Sequence, residues 1–145
     1  MAFRFSLATV LRYRESIEER EERALQKFLL EIARIRHEIE QLTAGIAAKQ
    51  QERYEAMQQP LPAFHLQTML SEIDAALERR KALTALLEEL ERQRKKQMQI
   101  YQAAARDRKM LSDIFTRQRD AYEQERARTL QKFLDDIFVT RALRS

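Results

Sequence analysis

The chain contains almost no residues that end a helix. In 145 residues there is one glycine, Gly45, and there are two prolines, Pro60 and Pro62. Because glycine and proline make most turns and end most helices, the chain has essentially one place to turn, around those prolines. We therefore predict an all-α protein in which two long helices form an antiparallel coiled-coil hairpin.

The composition agrees with long helices and excludes several classes of protein. Ala, Glu, Leu, Lys and Arg supply 81 of the 145 residues, above the half that is typical of coiled coils. The absence of cysteine excludes disulfide scaffolds and thiolate chemistry and agrees with a reducing cytoplasm. Apolar runs are only a few residues long, and no signal-peptide core follows the first residues, so we predict neither a membrane span nor secretion.

We predict a single coiled-coil rod over residues 1–145, with helix one at about 6–57, a turn at about 58–62 and helix two at about 63–138. Ser6 is a suitable N-cap for helix one. Apolar residues that recur in steps of three and four define a seam, the row of residues through which each helix faces the other. In helix one the seam contains Phe28, Ile32, Ile35, Ile39, Leu42 and Ile46, preceded by Phe3, Leu7, Val10, Ile17 and Ala24. In helix two it contains Leu66, Met69, Ile73, Ala76, Leu83, Leu87, Leu90, Tyr101, Ala104, Leu111, Phe115 and Tyr122, interrupted by Arg80, Arg94 and Arg108.

The predicted helices differ in length, which leaves the end of helix two unpaired. Folding the chain at its turn pairs residue i with about residue 122 − i, so residues beyond about Ala121 have no partner in helix one. This overhang carries the apolar residues Tyr122, Leu130, Phe133, Leu134, Ile137 and Phe138. Exposed apolar residues on a helix indicate either an unmet partner or a frayed or self-associated tail, and periodicity does not separate these alternatives.

No arrangement of side chains in the sequence predicts catalysis. His37 and His65 are too few for a metal site, and no second histidine follows His37 at the spacing of a metalloprotease. The clustered carboxylates Glu18, Glu19, Glu21 and Glu22 are typical of a solvated helix face. We therefore predict that the protein is not an enzyme and uses no cofactor and no metal.

Positive charge is concentrated at the end of the hairpin that lies away from the turn. Residues 92–109 contain seven Lys or Arg and one Asp, and the first fourteen residues add Arg4, Arg12 and Arg14 without an acid. The antiparallel register brings these two stretches together. They form either ordinary solubilising charge or a surface that docks onto an acidic partner. Nucleic acid is the weaker candidate, because aromatic side chains do not interleave with the cations.

Both ends of the sequence resemble the FliJ family of flagellar export proteins. The stretch from Phe3 to Arg14 has the aromatic-x-aromatic opening of that family, followed by an amphipathic turn and basic residues. Near the other end, Gln131, Lys132, Leu134 and Asp135 match the family pattern Gln-Lys-x-Leu-Asp-Glu, in which Asp136 replaces the Glu. Thr129 and Leu130 replace the Arg-Glu pair that precedes the pattern. Length, helix plan and turn position also match, so the resemblance covers the whole chain.

The resemblance implies a non-enzymatic component of the bacterial flagellar type III export apparatus, and hence a role in motility. Proteins of this family are similar to the gamma subunit of rotary ATPases. They are cytoplasmic and reach the inner membrane only through partners, which are the hexameric export ATPase, the export gate and export chaperones. Two alternatives remain open: the stalk protein of a virulence type III secretion system, and an unrelated coiled-coil scaffold. The scaffold predicts a stable homodimer, whereas the stalk predicts a monomer.

The same resemblance implies two sets of contact residues. Contact with the ATPase ring is assigned to the joined ends of the chain, at Arg4, Arg12, Arg14, Arg119, Arg126, Arg128, Gln131, Leu134 and Asp135. Contact with the export gate is assigned to the half near the turn, at Tyr54, Met69, Ile73, Ala76 and Arg80. For the gate residues, simple packing between the helices is the alternative interpretation.

Overall fold

The computed structural model describes residues 2–144 and consists of two helices, α1 (Ala8–Ala56) and α2 (Ala63–Arg144). The helices pack against each other in opposite directions. Close to the turn, Lys49 of α1 lies 3.5 Å from Glu72 of α2, and further along Arg36 of α1 pairs with Glu91 of α2. These contacts confirm the predicted antiparallel hairpin. Residues 1 and 145, which the predicted rod included, lie outside the described residues.

The helix ends lie close to the predicted positions except at the end of α2. Helix α1 begins at Ala8, two residues after Ser6, because the N–H of Ala8 donates to the carbonyl of Phe5 (3.1 Å) and closes a turn before the helix. This turn directs the Phe5 side chain into a buried position. Helix α2 continues to Arg144 and does not end near Phe138, since the last residues contain neither glycine nor proline to stop it.

The turn between the helices follows from its prolines. Helix α1 ends with hydrogen bonds of a tightening last turn, in which the N–H of Gln58 donates to the carbonyl of Glu55 (3.2 Å). Pro62 stands immediately before α2, where its missing N–H costs no helical hydrogen bond. Its carbonyl instead accepts the N–H of Leu66 (3.3 Å). The turn therefore lies at the position that the sequence predicted.

Contacts within the chain divide it into two compact units. The turn unit is Glu22–Ile100, which includes the connection between the helices. The terminal unit comprises residues 2–21, which we call the first arm, and residues 101–144 of α2. Each unit contains a stretch of both helices.

The turn unit has an aliphatic core at the predicted seam. Ile32 and Ile35 of α1 are buried against Leu83 and Leu90 of α2. Four more seam residues, Phe28, Ile39, Leu42 and Leu87, pack half-buried against this cluster. Burying an aliphatic side chain of this size stabilises a fold by roughly 1.5–3 kcal/mol. The heptad pattern of both helices thus predicts the most stable part of the turn unit.

Before Phe28 the predicted seam is correct only in part: Phe3, Leu7 and Ile17 are half-buried, whereas two other predicted positions are one residue off. In the turn unit the structure buries Leu25 rather than Ala24, and in the terminal unit Leu11 is half-buried while Val10 is 42% exposed. The steps of four and three that hold from Phe28 onward simply continue backwards through Leu25 and Leu11. The prediction used two consecutive steps of four residues, from Ala24 to Phe28 and from Phe28 to Ile32. These steps rotated the earlier part of the predicted seam away from α2.

Candidate interaction surfaces

An aromatic cluster fixes the first residues of the chain onto α2 in the terminal unit. The ring of Phe3 lies 5.7 Å from that of Phe115 and 5.4 Å from that of Tyr122, between centroids. The buried ring of Phe5 meets Phe115 edge-on at 5.2 Å. Such pairs contribute about 0.5–1.5 kcal/mol each beyond burial of their area. The aromatic-x-aromatic opening is therefore an anchor that joins the two ends of the chain.

Next to this cluster the seam of the terminal unit contains an ion pair. Arg108 donates from Nε to Glu18 (2.6 Å) and from a terminal nitrogen to the other carboxylate oxygen (3.3 Å). Their side chains are only 32% and 17% exposed. The hydrogen bond to Glu18 raises the pKa of the Arg108 guanidinium, and it outweighs the opposing effect of burial. Arg108, predicted as an arginine that interrupts the seam, thus has a carboxylate partner at the opposing seam position.

The ring-contact candidates on the first arm are not equivalent. Arg4 and Arg12 are exposed, and neither forms an ion pair with the rest of the described chain. Arg14 instead lies 3.4 Å from Asp107 of α2. On α2, the guanidinium of Arg119 stands 5.7 Å from the centre of the Phe115 ring, close enough for a cation–π contact. Arg4 and Arg12 are therefore the cations most available to a partner on this arm.

The remaining ring candidates lie on an uncovered stretch of α2 that we call the tail, residues 123–144. Every residue of the tail is exposed. Arg128, Gln131 and Asp135 share one side of the helix, where Gln131 donates to Asp135 (3.0 Å). Arg126 and Leu134 belong to a different side. The structure therefore divides the predicted tail contacts between two faces.

The second face of the tail is apolar. Helical spacing places five large apolar residues on it, namely Leu130, Phe133, Leu134, Ile137 and Phe138. Their exposed fractions range from 36% at Ile137 to 75% at Phe138. This is the side of α2 that earlier in the helix carries Phe115 and Tyr122, which the first arm covers. The predicted overhang is thus a helix with one continuous apolar face and nothing packed on most of it.

In the turn unit, two small residues create a notch between the helices. Gly45 of α1 and Ala76 of α2 line it, together with Leu42 and Ile46. A methyl group built at Gly45 would meet no atom within 4 Å. Glu38 and Arg79 line the rim, with their charged atoms 3.8 Å apart. The sequence did not predict this notch, although the antiparallel register brings Gly45 and Ala76 to the same level.

The gate candidates fall into different environments of the turn unit. Ile73 is buried in the seam and Ala76 lines the notch. Arg80 reaches across the seam, where it donates to the hydroxyl of Thr43 (3.4 Å). Tyr54 is 65% exposed, and Met69 lines a shallow groove near the turn. The structure therefore leaves Tyr54 and Ala76 accessible to a partner and assigns Ile73 to packing between the helices.

Over residues 2–144, no three His, Cys, Asp or Glu side chains are grouped so that they could hold a metal ion. Neither described helix has a stretch sufficiently long and apolar to cross a membrane.

Comparison with known proteins gives one match. Residues 3–145 match the model of the family described as flagellar FliJ protein. Neither a curated protein nor a solved structure gives a significant match to the sequence.

Proposed function

This chain belongs to the FliJ family of flagellar proteins, which is related to type III protein export, and from that premise we propose a stalk-like function within the export apparatus. The protein binds the hexameric export ATPase in the cytoplasm, couples it to the export gate and escorts export chaperones, without catalysing a reaction. It acts as a single copy at the ring. The observation that carries this proposal is the terminal unit, which combines both ends of the chain with exposed cations and an uncovered helix.

The charge distribution supports contact between the terminal unit and an acidic ring. Residues 2–21 and 101–144 contain 14 Lys or Arg and 11 Asp or Glu, whereas the turn unit contains 13 and 12. Most of the net charge of +4 therefore belongs to the terminal unit. A positive surface attracts an acidic cavity and speeds association with it. Contacts that differ between states of the ring would bias the ring toward one of them.

The two long helices support a mechanical form of coupling. Helix α1 contains 49 residues and helix α2 contains 82, and Gly45 is the one glycine in either. Helices held by a well-packed seam resist bending more than loops do, because every backbone hydrogen bond would have to deform. We infer that the state of the ATPase reaches the gate through these helices.

The notch of the turn unit is the better candidate for the gate contact. The notch has open space beside Gly45 and Ala76 for a side chain from another protein, and exposed Tyr54 lies nearer the turn. Small residues that let a partner's side chain enter are a recurring means of docking helices and extended segments. Of the predicted gate residues, Ala76 and Tyr54 therefore carry this part of the proposal.

The two alternative functions, a stalk protein of a virulence secretion system and an unrelated scaffold, receive less support. The family match is to a flagellar protein, which favours the flagellar system over a virulence secretion system. An unrelated scaffold would dimerise through the seams of its helices, but here the seam of α1 is satisfied by α2 of the same chain.

A charge-reversal experiment tests the ring contact. We expect the double variant Arg4→Glu and Arg12→Glu to reduce stimulation of the export ATPase by at least about tenfold, because each reversal replaces attraction by repulsion. Arg14 is left unchanged, since its pairing with Asp107 would confuse a binding effect with a folding effect. The matched control reverses Arg23 and Lys27, two exposed cations on α1 in the turn unit. Equal stimulation by the two double variants would refute the ring contact.

A further inference from the structure

We propose that the tails of two copies of this chain pair in antiparallel orientation in solution, so that each tail covers the apolar face of the other. The inference goes beyond the proposed function, which concerns a single copy on the export ATPase. It depends on three properties of residues 123–144: their exposure, the position of two charges on the apolar face, and the symmetry of that face.

The apolar face of the tail needs another apolar surface packed on it to be stable in water. A lone helix in water is marginal, because most helical stability in proteins comes from packing an apolar face. Phe133 and Phe138 are both largely exposed, and no residue of the tail is buried. A contiguous apolar face of this kind marks an interaction site.

Two opposite charges lie at the two ends of this face. Glu123 and Arg141 are eighteen residues apart, which is about five turns of an α-helix, so both fall on the same line along the helix surface. That line runs through the apolar face, between Leu130 and Leu134. Neither Glu123 nor Arg141 forms an ion pair within the part of the chain that the structure describes. The face therefore begins with an unpaired acid and ends with an unpaired base.

This charge pattern selects a second tail in reverse orientation. Leu130 follows Glu123 by seven residues, and Leu134 precedes Arg141 by seven residues, so these four positions are spaced alike from both ends apart from the sign of the charge. A two-fold axis near Lys132 then places Glu123 of each copy against Arg141 of the other and Leu130 against Leu134. A parallel pair would instead place like charges opposite each other, which is unfavourable.

The size of the face predicts a reversible dimer. The tail extends for roughly 33 Å, and an interface between two such single helices falls below the size of stable complexes, about 1,200 Å². Arg126 and Leu134, proposed to contact the ring, lie on the same face. A tail that pairs with a second copy cannot offer this face to the ATPase, so dimer and ring binding exclude each other.

Sedimentation of the full chain over a range of protein concentrations tests the pairing. We expect the mass to rise from one chain to two, and Leu134→Glu to keep the mass at one chain over the same range. The matched control is Val139→Glu, which introduces the same charge at an exposed tail residue on the opposite side of the helix. Circular dichroism of both variants shows whether the helix persists. Wild-type chain that remains monomeric at all concentrations would overturn the proposal and assign the face to a different protein.

A charge swap tests the orientation. We expect Glu123→Arg and Arg141→Glu each to raise the dissociation constant by about tenfold or more, and the double variant to return it to near the wild-type value. Recovery in the double variant is specific to an antiparallel pair, because a parallel pair does not bring these two residues together. Failure of the swap to restore dimers would overturn the antiparallel arrangement.

The pairing of the tails and the contact with the ATPase can each be refuted without refuting the other. Dimer formation without stimulation would reject the proposed function and keep the pairing, whereas stimulation by a strictly monomeric wild-type chain would do the reverse.

Discussion

The turn unit and the terminal unit use the same two helices but are held together by different interactions. In the turn unit the seam is aliphatic, and Ile35 is 1% exposed at its centre. In the terminal unit the corresponding positions include the ion pair of Glu18 with Arg108, followed by an aromatic cluster around Phe115. Beyond this cluster α2 continues without any cover.

The difference shows that the helices of one hairpin can be held by aliphatic contacts in one part and by ionic and aromatic contacts in another. Aliphatic contacts lose their stabilisation only when the helices separate, whereas ion pairs contribute less, and the exposed ones also weaken with salt. Regions that change partners are drawn from the less stable parts of a protein. The terminal unit is where the exposed Arg4 and Arg12 and the uncovered apolar face lie.

The largest expected effect is the loss of an aliphatic side chain from the turn unit. Ile35→Ala should lower the free energy of unfolding by about 3 kcal/mol, because it removes a fully buried side chain and leaves a cavity. Urea unfolding followed by circular dichroism measures this change. The matched control is Leu30→Ala on the exposed side of α1, for which we expect a change below about 0.5 kcal/mol. Similar losses in both variants would show that the seam does not hold the turn unit.

In the terminal unit the ion pair should have an intermediate effect. A double-mutant cycle of Glu18→Ala and Arg108→Ala is expected to give a coupling energy of about 1 kcal/mol in low salt, because both side chains are mostly shielded from water. The comparison pair is Arg34 with Glu38, which is exposed and lies within one turn of α1, and should give about 0.3 kcal/mol.

Salt should separate the two pairs further. Screening acts on exposed charges more than on shielded ones, so the coupling of Arg34 with Glu38 should vanish first as salt increases. A coupling energy for Glu18 with Arg108 that equals that of the exposed pair at every salt concentration would show that this ion pair is not shielded within the seam.

The smallest expected effect is a gain of stability at the notch. Gly45→Ala should raise the free energy of unfolding by about 0.5–1 kcal/mol, because alanine is the better helix former and its methyl group meets no neighbour. The same methyl group reduces the notch, so binding of the gate domain should weaken while the protein becomes more stable. Calorimetric titration and thermal unfolding measure the two quantities. Unchanged gate binding would remove the notch from the proposed contact.

The fold was largely predictable from the sequence because few residues can end a helix. Pro60 and Pro62 determined the turn, and the regular spacing from Phe28 onward identified the core of the turn unit. The seam before Phe28 was not predictable from hydrophobicity alone, since both Ala24 and Leu25 are apolar. Only the constant rotation of an uninterrupted helix decides between them.

The interaction surfaces were predictable only in part. Charge and periodicity identified the exposed arginines and the apolar overhang, because both are properties of single helices. The pairing of Glu18 with Arg108 and the notch at Gly45 depend on residues far apart in sequence. They required the register of α1 against α2 and the actual side-chain positions.

The central claim is that this chain acts on the flagellar export ATPase, and a titration of that ATPase with the purified protein tests it most directly. The hydrolysis rate should be followed while the mass of the added protein is measured in the same buffer. The account predicts that the rate rises and saturates as the protein is added at concentrations where it is monomeric. A rate that stays constant over the whole titration would contradict the account.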